Sequence, residues 1–469
     1  MRILLVSPTN TTSGVTARWL RMPQLSLPIL AALTPPEHEV VMVEEEYEPL
    51  PADERWDVVG ITAMTATARR AYDLAALFNR RGAKVVLGGI HPSVMPDEAA
   101  QFADSVVIGE AEGAWPEVLH DAERNRLRRF YRNPQPDISQ SPLPVRNRRR
   151  SLIGGPPYLM PIMASRGCPY DCEFCSVHRV YGRRQRHVPI ERIVADIRRN
   201  RPRVVMFLDD NIGGDRAYAL RLFKAIRPLR ILWVGQSSVR SIRDEVLFKA
   251  AVRSGCQALF VGVESIEPAA RKTMRKSLAS VADYEDAVRR CRDAGVIFHA
   301  SLIFGLDEQT PRVFDDTLAF LQRNAVFSIS SNVLTPYPGT RLFDRLQRED
   351  RILHTNWSFY DHTTVCYRPK DMAPEELAER YLDFRRRFFS YASILQRMPP
   401  NLRTHPAMFL GMNLALHSTT GSLATRSARY FQWLREGART PAPDHAPRPF
   451  WKSVLRSLRV FSPPVGATD

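Results

Sequence analysis

Three of the chain's six cysteines fall within eight residues, in the run Ser165-Arg166-Gly167-Cys168-Pro169-Tyr170-Asp171-Cys172-Glu173-Phe174-Cys175. Thiolates this close in sequence share one loop, and six cysteines spread over 469 residues form no disulfide framework. In a reducing compartment such a triplet points to metal. Spacing alone leaves two chemistries open. Three thiolates can each cap one iron of a cubane and leave the fourth iron free for a ligand, unlike closed Cys₄ ligation. Zinc held by the same cysteines and His178 is the alternative, although zinc ligands usually come from two separate knuckles. Cys256, Cys291 and Cys366 are isolated and read as packing residues.

The rest of the chain sets the fold around that loop. Its length suggests two or three domains. Short apolar runs at residues 2–6, 40–43, 57–62, 84–87 and 105–108 alternate with helical patterns, clearest over 67–81. Strands alternating with helices predict a doubly wound parallel sheet over residues 1–132, whose ligands bind beyond the carboxyl ends of the strands. Residues 133–157, rich in Pro, Arg and Ser, read as a linker. The rhythm returns over 158–370, with candidate strands at 162–165, 204–209, 232–236, 258–263, 298–304 and 329–334. Six such units suit a partial (β/α)6 barrel with chemistry at the strand C-termini. Residues 371–440 read as mainly helical, and 441–469 as a poorly ordered tail with one short helix at 451–460.

Charge and hydropathy narrow the function classes. Lys and Arg outnumber Asp and Glu by 66 to 50, a net charge of +16, which favours anionic partners. The basic residues are scattered at 146–150, 183–186, 198–203 and 385–387, as solvated helix faces usually are. No aromatic-interleaved basic stripe is present, so specific nucleic-acid binding is not expected. Residues 1–6 are too short for a secretory h-region, and no run reaches the length of a membrane helix, so a cytoplasmic protein is expected. Residues 406–433 mix Phe409, Leu410, Leu414, Leu416, Tyr430, Phe431 and Trp433 with Arg403, Arg426 and Arg429. That mixture suits either a packing helix or peripheral contact with a membrane carrying a lipid substrate. No phosphate-loop lysine, nucleophile elbow or His-Glu-x-x-His helix appears.

The Cys-x₃-Cys-x₂-Cys spacing, with Phe174 just before the third cysteine, resembles the signature loop of the radical SAM superfamily. The resemblance implies a [4Fe-4S] cluster on Cys168, Cys172 and Cys175, whose open iron binds S-adenosylmethionine (SAM) and whose electron cleaves it to a 5′-deoxyadenosyl radical. It also implies SAM contacts from Phe174 beside adenine, from Asp209, Asp210 and Asn211, from Glu264, and from Ile303 and Gly305 in the segment Ile303-Phe304-Gly305-Leu306. Residue by residue the plainer reading is that acids at strand ends cap helices and glycines there make turns. The segment Thr335-Pro336-Tyr337-Pro338-Gly339-Thr340 is also family-like, with no role assigned.

In front of such a barrel, the first domain resembles the cobalamin-binding domain of B12-dependent radical SAM enzymes. The resemblance implies cobalamin contacts at Thr9, Thr62, Met64, Thr65, Gly88, Gly89, His91, Gly109 and Glu110, where small residues let the backbone approach a large corrin. The region after the first strand, Ser7 to Gly14, holds no histidine, so base-off binding is expected, with His91 a loop residue beside the corrin. The fold expected is therefore α/β: a doubly wound cobalamin-binding domain, a radical SAM barrel and a helical C-terminal region. The function implied is a cobalamin-dependent methyltransferase acting on an unactivated carbon of a small molecule or lipid, served by an electron donor such as flavodoxin or ferredoxin. A cyclase or rearrangement enzyme with the same cofactors, and an Fe–S RNA-binding or sensor protein, are the alternatives.

Overall fold

Strands with no polar face need cover on both sides, and the chain opens with one: Ile3, Leu4, Leu5 and Val6 are wholly buried. The computed structural model describes residues 1–9, 24–133, 135–146, 159–274, 279–399 and 405–437. The tail at 441–469 with its expected helix, Arg403, residues 10–14 of the first loop, 147–150 of the first basic run and 147–157 of the expected linker lie outside the described residues.

The first sheet contains β1 (Arg2–Ser7), β2 (Glu39–Glu44), β3 (Val58–Thr62), β4 (Lys84–Gly88), β5 (Ser105–Gly109) and β6 (Phe130–Asn133). Its order is β2-β1-β3-β4-β5-β6, with every pairing parallel. The strand order reverses beside β1, which opens a crevice at the carboxyl edge. The helix Ala68–Arg80 buries Ala68, Ala71, Tyr72, Leu74, Ala75 and Phe78, the apolar stripe of an amphipathic helix. The sixth strand is a correction. Asn133, read from sequence as the first linker residue, pairs with Gly109, because β5 leaves an open edge that a short polar strand can satisfy.

The second sheet contains β7 (Leu159–Ile162), β10 (Val204–Phe207), β11 (Leu232–Ser237), β12 (Cys256–Glu264), β13 (Ile297–Phe304) and β14 (Ser328–Val333), in the order β14-β13-β12-β11-β10-β7, all parallel. The first strand ends three residues earlier than the sequence suggests. Ser165 and Arg166 form instead a two-residue strand, β8, antiparallel to β9 (Arg186–His187). Elements after β14 grip the loop after β7: Arg341 Nη1 donates to Asp171 at 2.9 Å and Arg345 Nε to Glu173 at 2.7 Å.

The helix Pro406–Arg435 settles the packing reading of the C-terminal region. Phe409, Tyr430, Phe431 and Trp433 are buried, while Leu410, Leu414 and Leu416 pack against the core, so no aromatic face is offered to a bilayer. Arg426 is buried and ion-paired to Asp361. Among the described residues no helix is long and apolar enough to cross a membrane.

Candidate active site

The cysteine loop leaves the barrel sheet between β8 and the turn Val177–Val180. Gly167 starts it with φ +91°, a conformation that costs glycine nothing, and an added Cβ would sit 3.1 Å from the Gly182 carbonyl. Cys172 is buried and Cys168 and Cys175 half-buried. Burial, then the charges of Cys172, Asp210 and Cys168, push the Cys175 thiol up to about 12. The three sulfurs are therefore electrostatic neighbours. Yet among the described residues no three His, Cys, Asp or Glu side chains converge on one ion.

Two arginines that the sequence reading passed over hold this loop. Thr340 caps the helix Arg341–Arg348, its hydroxyl accepting from Phe343 N–H. On that helix Arg341 bonds Asp171, and Arg345 bonds Glu173 and, at 2.7 Å, Asp307. Burial alone would raise the Asp307 carboxyl, but Arg351 and Arg345 hold it below its ordinary value. The family-like segment 335–340 thus starts a helix that clamps the cysteine loop. The signal was legible in principle: arginines four apart after a capping threonine lie on one helix face.

Around the loop the expected SAM residues divide. Asp209 is engaged within the barrel itself. Its carboxylate accepts from Ala164 N–H at 2.9 Å and the Ser165 hydroxyl at 2.6 Å, and it lies 1% exposed. It ties the end of β7 to the end of β10, and burial pushes its pKa up to about 6. Asp210 stays half-buried on the cysteine side, raised to about 7 by burial and by Asp209. The Asn211 side-chain oxygen is buried and has no hydrogen-bond partner, an acceptor aimed at an absent donor. Glu264 is buried at a register shift in β12, with φ +60°. A left-handed glutamate at a strand bulge marks a site held under constraint.

The backbone of 303–306 is hydrogen-bonded within the fold. Ile303 C=O accepts from the Gln309 side chain at 3.1 Å, Gly305 N–H donates to it at 2.8 Å, and Gly305 C=O accepts from Tyr367. Those groups are occupied, so what the segment offers a ligand is the Ile303 side chain, which shares an apolar cluster with Phe174 and Leu306. Gln309, missed from sequence, is 1% exposed and also bonds Ser265 beside Glu264 at 3.1 Å.

The N-terminal sheet supplies a crevice of about 880 Å³, partly open to solvent. Thr62, Gly88, Gly89, Gly109 and Glu110 line it, as expected for a cofactor edge. So do Ile29 and Leu30 of the helix Ser26–Leu33, Trp115, and Met163, Arg166, Val180 and Tyr181 from the barrel. Gly89 has φ +98°, and a Cβ there would lie 2.8 Å from the Ala63 carbonyl. A glycine lip over a deep apolar slot fits a large flat ligand with an inserted arm. No histidine is among the lining residues. The signal for the slot's outer wall was the sequence SLPILAAL, a helix with no polar face.

Four expected cobalamin residues lie elsewhere. Thr9 donates its N–H to Glu45 at 3.0 Å, and Met64 is 62% exposed. Thr65 is buried, its hydroxyl 3.4 Å from His91 Nδ1. His91 packs against Trp357, outside the lining of the crevice. Wholly buried, its Nε2 lies 3.1 Å from the Tyr72 hydroxyl, and its ring meets Trp357 edge-on at 5.3 Å. Glu98 completes the contact by accepting from Trp357 Nε1 at 2.8 Å.

Glu110 lines the crevice, but its carboxylate is shared by Arg166 and Arg186 of the barrel. Arg166 also donates to Glu112 at 2.6 Å. Burial disfavours the Arg166 cation, but Glu112 and Glu110 outweigh that and raise its pKa. The residue two before Cys168 is thus ion-paired to the edge of the other sheet.

Comparison with known proteins agrees with this geometry. Residues 162–321 match the sequence model of the Radical SAM superfamily, 22–119 that of the B12 binding domain, and 340–459 a domain of unknown function, DUF4070. The chain is 29% identical over 411 residues to the bacteriochlorophyllide d C-12(1)-methyltransferase of Chlorobaculum tepidum, across 84% of this chain and 89% of that one. It is 30% identical over 394 residues to the hopanoid C-2 methylase of Rhodopseudomonas palustris, across 77% of this chain and 73% of that one. The fold resembles the radical S-adenosylmethionine methyltransferase TsrM of Kitasatospora setae, solved with tryptophan and a SAM analogue. The TM-score is 0.65 at 15% identity, across 93% of this chain and 99% of that one.

Proposed function

The chain belongs to the B12-binding, cobalamin-dependent radical SAM enzymes, and we propose that it is a methyltransferase acting on an unactivated carbon of a small molecule or lipid. One observation carries the reading: a single crevice has the glycine edge of the first sheet on one side and, on the other, Met163, Arg166, Val180 and Tyr181, which flank the cysteine loop. When bound, the cluster supplies an electron that cleaves SAM, and cobalamin supplies a carrier for a methyl group. The relatives named above methylate, by name, a bacteriochlorophyllide and a hopanoid.

In this reading the chain's own residues position and exclude. Cys168, Cys172 and Cys175 hold the cluster, and the Arg341 and Arg345 clamp keeps their loop against the barrel mouth. Asn211, whose oxygen lacks a donor, accepts from the SAM amino group, and Glu264 contacts its ribose or amino-acid end. Phe174 and Ile303 form an apolar seat for adenine. Thr62, Gly88, Gly89, Gly109 and Trp115, which line the crevice, would hold the cobalamin. Reductive cleavage consumes an electron, so a donor such as flavodoxin or ferredoxin is required.

Anaerobic incubation of reconstituted protein with methyl-labelled SAM, a reductant and an extract of its source separates the alternatives. A methyltransferase releases S-adenosylhomocysteine together with a labelled product. A cyclase or rearrangement enzyme yields 5′-deoxyadenosine with no S-adenosylhomocysteine, and that result would overturn the proposal.

A further inference from the structure

The six barrel strands have two faces. Phe207, Trp233, Leu259, Val261, Phe298, Ala300, Phe304 and Ile329 belong to the core shared with Phe223, Phe248, Tyr284 and Phe314 of the surrounding helices. Alternate residues therefore point into the lumen. Register stacks them in layers. At the bottom Val234, Ala258 and Ile297 are level and apolar, closed by Ile394 and Phe409. Above them come Gln236, Phe260 and His299, aligned across three strands. Next are Ser301 and Ser330, and then Asn332 at the level of Ile303.

Above the apolar floor, and apart from Phe260 and Ile303, these lumen residues are polar but uncharged. His299 is bracketed by the Ser328 hydroxyl at 2.8 Å and the Ser330 hydroxyl at 2.7 Å, and burial holds its pKa near 4. The Asn332 amide nitrogen donates to the Leu302 carbonyl at 3.1 Å, so its fixed group presents the carbonyl oxygen. Gln236 and Ser330 are exposed, and Phe260 is half-exposed, its ring 4.8 Å from that of His299. No Lys, Arg, Asp or Glu lies on the inward positions between the apolar floor and the rim at Asp210 and Glu264. On a chain of net charge +16 that is a local exclusion of charge.

We infer that this wall, formed by Gln236, Phe260, His299, Ser301, Ser330 and Asn332, binds the part of the substrate that enters the barrel, and that this part is an uncharged, flat, hydrogen-bonding group. A charged arm would lose its hydration there without a counter-ion. An aromatic or conjugated ring bearing an amide, carbonyl or hydroxyl meets Phe260 with its face and the amides and hydroxyls with its edge. The inference rests on the methyltransferase reading for its use and on the lumen geometry for its chemistry.

The test compares two probes that differ only in charge, indole-3-acetamide and indole-3-acetate. Their binding to full-length reconstituted protein with SAM present is followed by saturation-transfer NMR titration. The amide should bind at least about tenfold tighter than the acetate. Phe260→Ala should weaken amide binding about fivefold or more, the loss of one good contact. Gln236→Lys, at an exposed position, should reverse the preference toward the acetate, with an unchanged melting temperature showing that the variant is folded. Equal binding of the two probes, or no reversal in folded Gln236→Lys, overturns the inference. The readout does not depend on turnover. Protein that discriminates as expected but releases no S-adenosylhomocysteine overturns the methyltransferase reading alone, and the opposite result overturns only this inference.

Discussion

At the scale of single residues, the buried His354 does structural work that acid will undo. His354 sits among Phe359, Tyr360, Tyr430 and Trp433. Its Nδ1 accepts from Asn356 N–H at 3.2 Å, and its Nε2 donates to the Tyr430 hydroxyl at 2.9 Å, which donates onward to the Val365 carbonyl. A second ring proton would face the Asn356 N–H, and burial holds the pKa at about 4. The unfolded chain takes up this proton near the ordinary 6.5, before the folded chain does. Stability is therefore full above about pH 6.5 and falls as pH drops toward 4, by at most about 1.4 kcal/mol per pH unit from this group. Thermal melts from pH 7.5 to 4.5 should show that slope reduced in His354→Gln. An unchanged slope would assign the acid sensitivity to other groups. Asp209 teaches the same lesson for site reading, since an acid at a strand end can serve the strand before it serves a ligand.

Among elements, the helix Arg341–Arg348 and the cysteine loop form one unit held by partly buried ion pairs. Arg345→Met removes the partner of Glu173 and one of the partners of Asp307. Breaking a pair of intermediate exposure should cost about 1–3 kcal/mol, between exposed and fully buried cases. The loosened loop should also hold its cluster less firmly. Iron and sulfide per chain after anaerobic gel filtration should drop by half or more in Arg345→Met and recover partly in Arg345→Lys. Full retention in Arg345→Met would mean that the clamp does not position the loop.

This unit also marks where sequence reading stopped. Strands were legible because buried parallel strands are local runs of apolar residues, and the cysteine triplet because three ligands share eleven residues. The clamp joins residues 170 and 172 apart, and no local pattern announces which aspartate an arginine will meet. The sixth strand of the first sheet was missed because Phe130–Asn133 is only four residues long and its last two, Arg132 and Asn133, end any apolar run. The helix Pro406–Arg435 carries a polar residue, Asn413, within an apolar stretch. In the fold that side chain is buried, its amide donating to the Phe327 carbonyl at 3.1 Å and its oxygen accepting from Arg397 at 3.2 Å.

For the whole molecule, the question is what holds two cofactor-binding sheets at a fixed spacing. Among the described residues, two clusters of contacts join them. One is the aromatic dock of His91, Tyr72 and Glu98 on Trp357. The other is the buried pairing of Glu110 and Glu112 with Arg166 and Arg186, whose side chains are all at most 13% exposed. Charges taken from water at such an interface gain little net stability when paired, but they are costly to orphan, so they specify one docking geometry. Arg166→Met leaves Glu112 with the Ser141 hydroxyl and Glu110 with Arg186 alone. The expected loss is about 3–5 kcal/mol, and it falls on the interface rather than within either sheet. Calorimetry should therefore show one unfolding transition for the wild type and two for Arg166→Met, one for each sheet. Adding Glu112→Gln to Arg166→Met removes the orphaned charge and should restore part of the loss, a coupling that two independent defects would not produce. If Arg166→Met instead melts in one transition at the wild-type temperature, the spacing of the two sites is set by the Trp357 dock, and the residue two before Cys168 holds only its own loop.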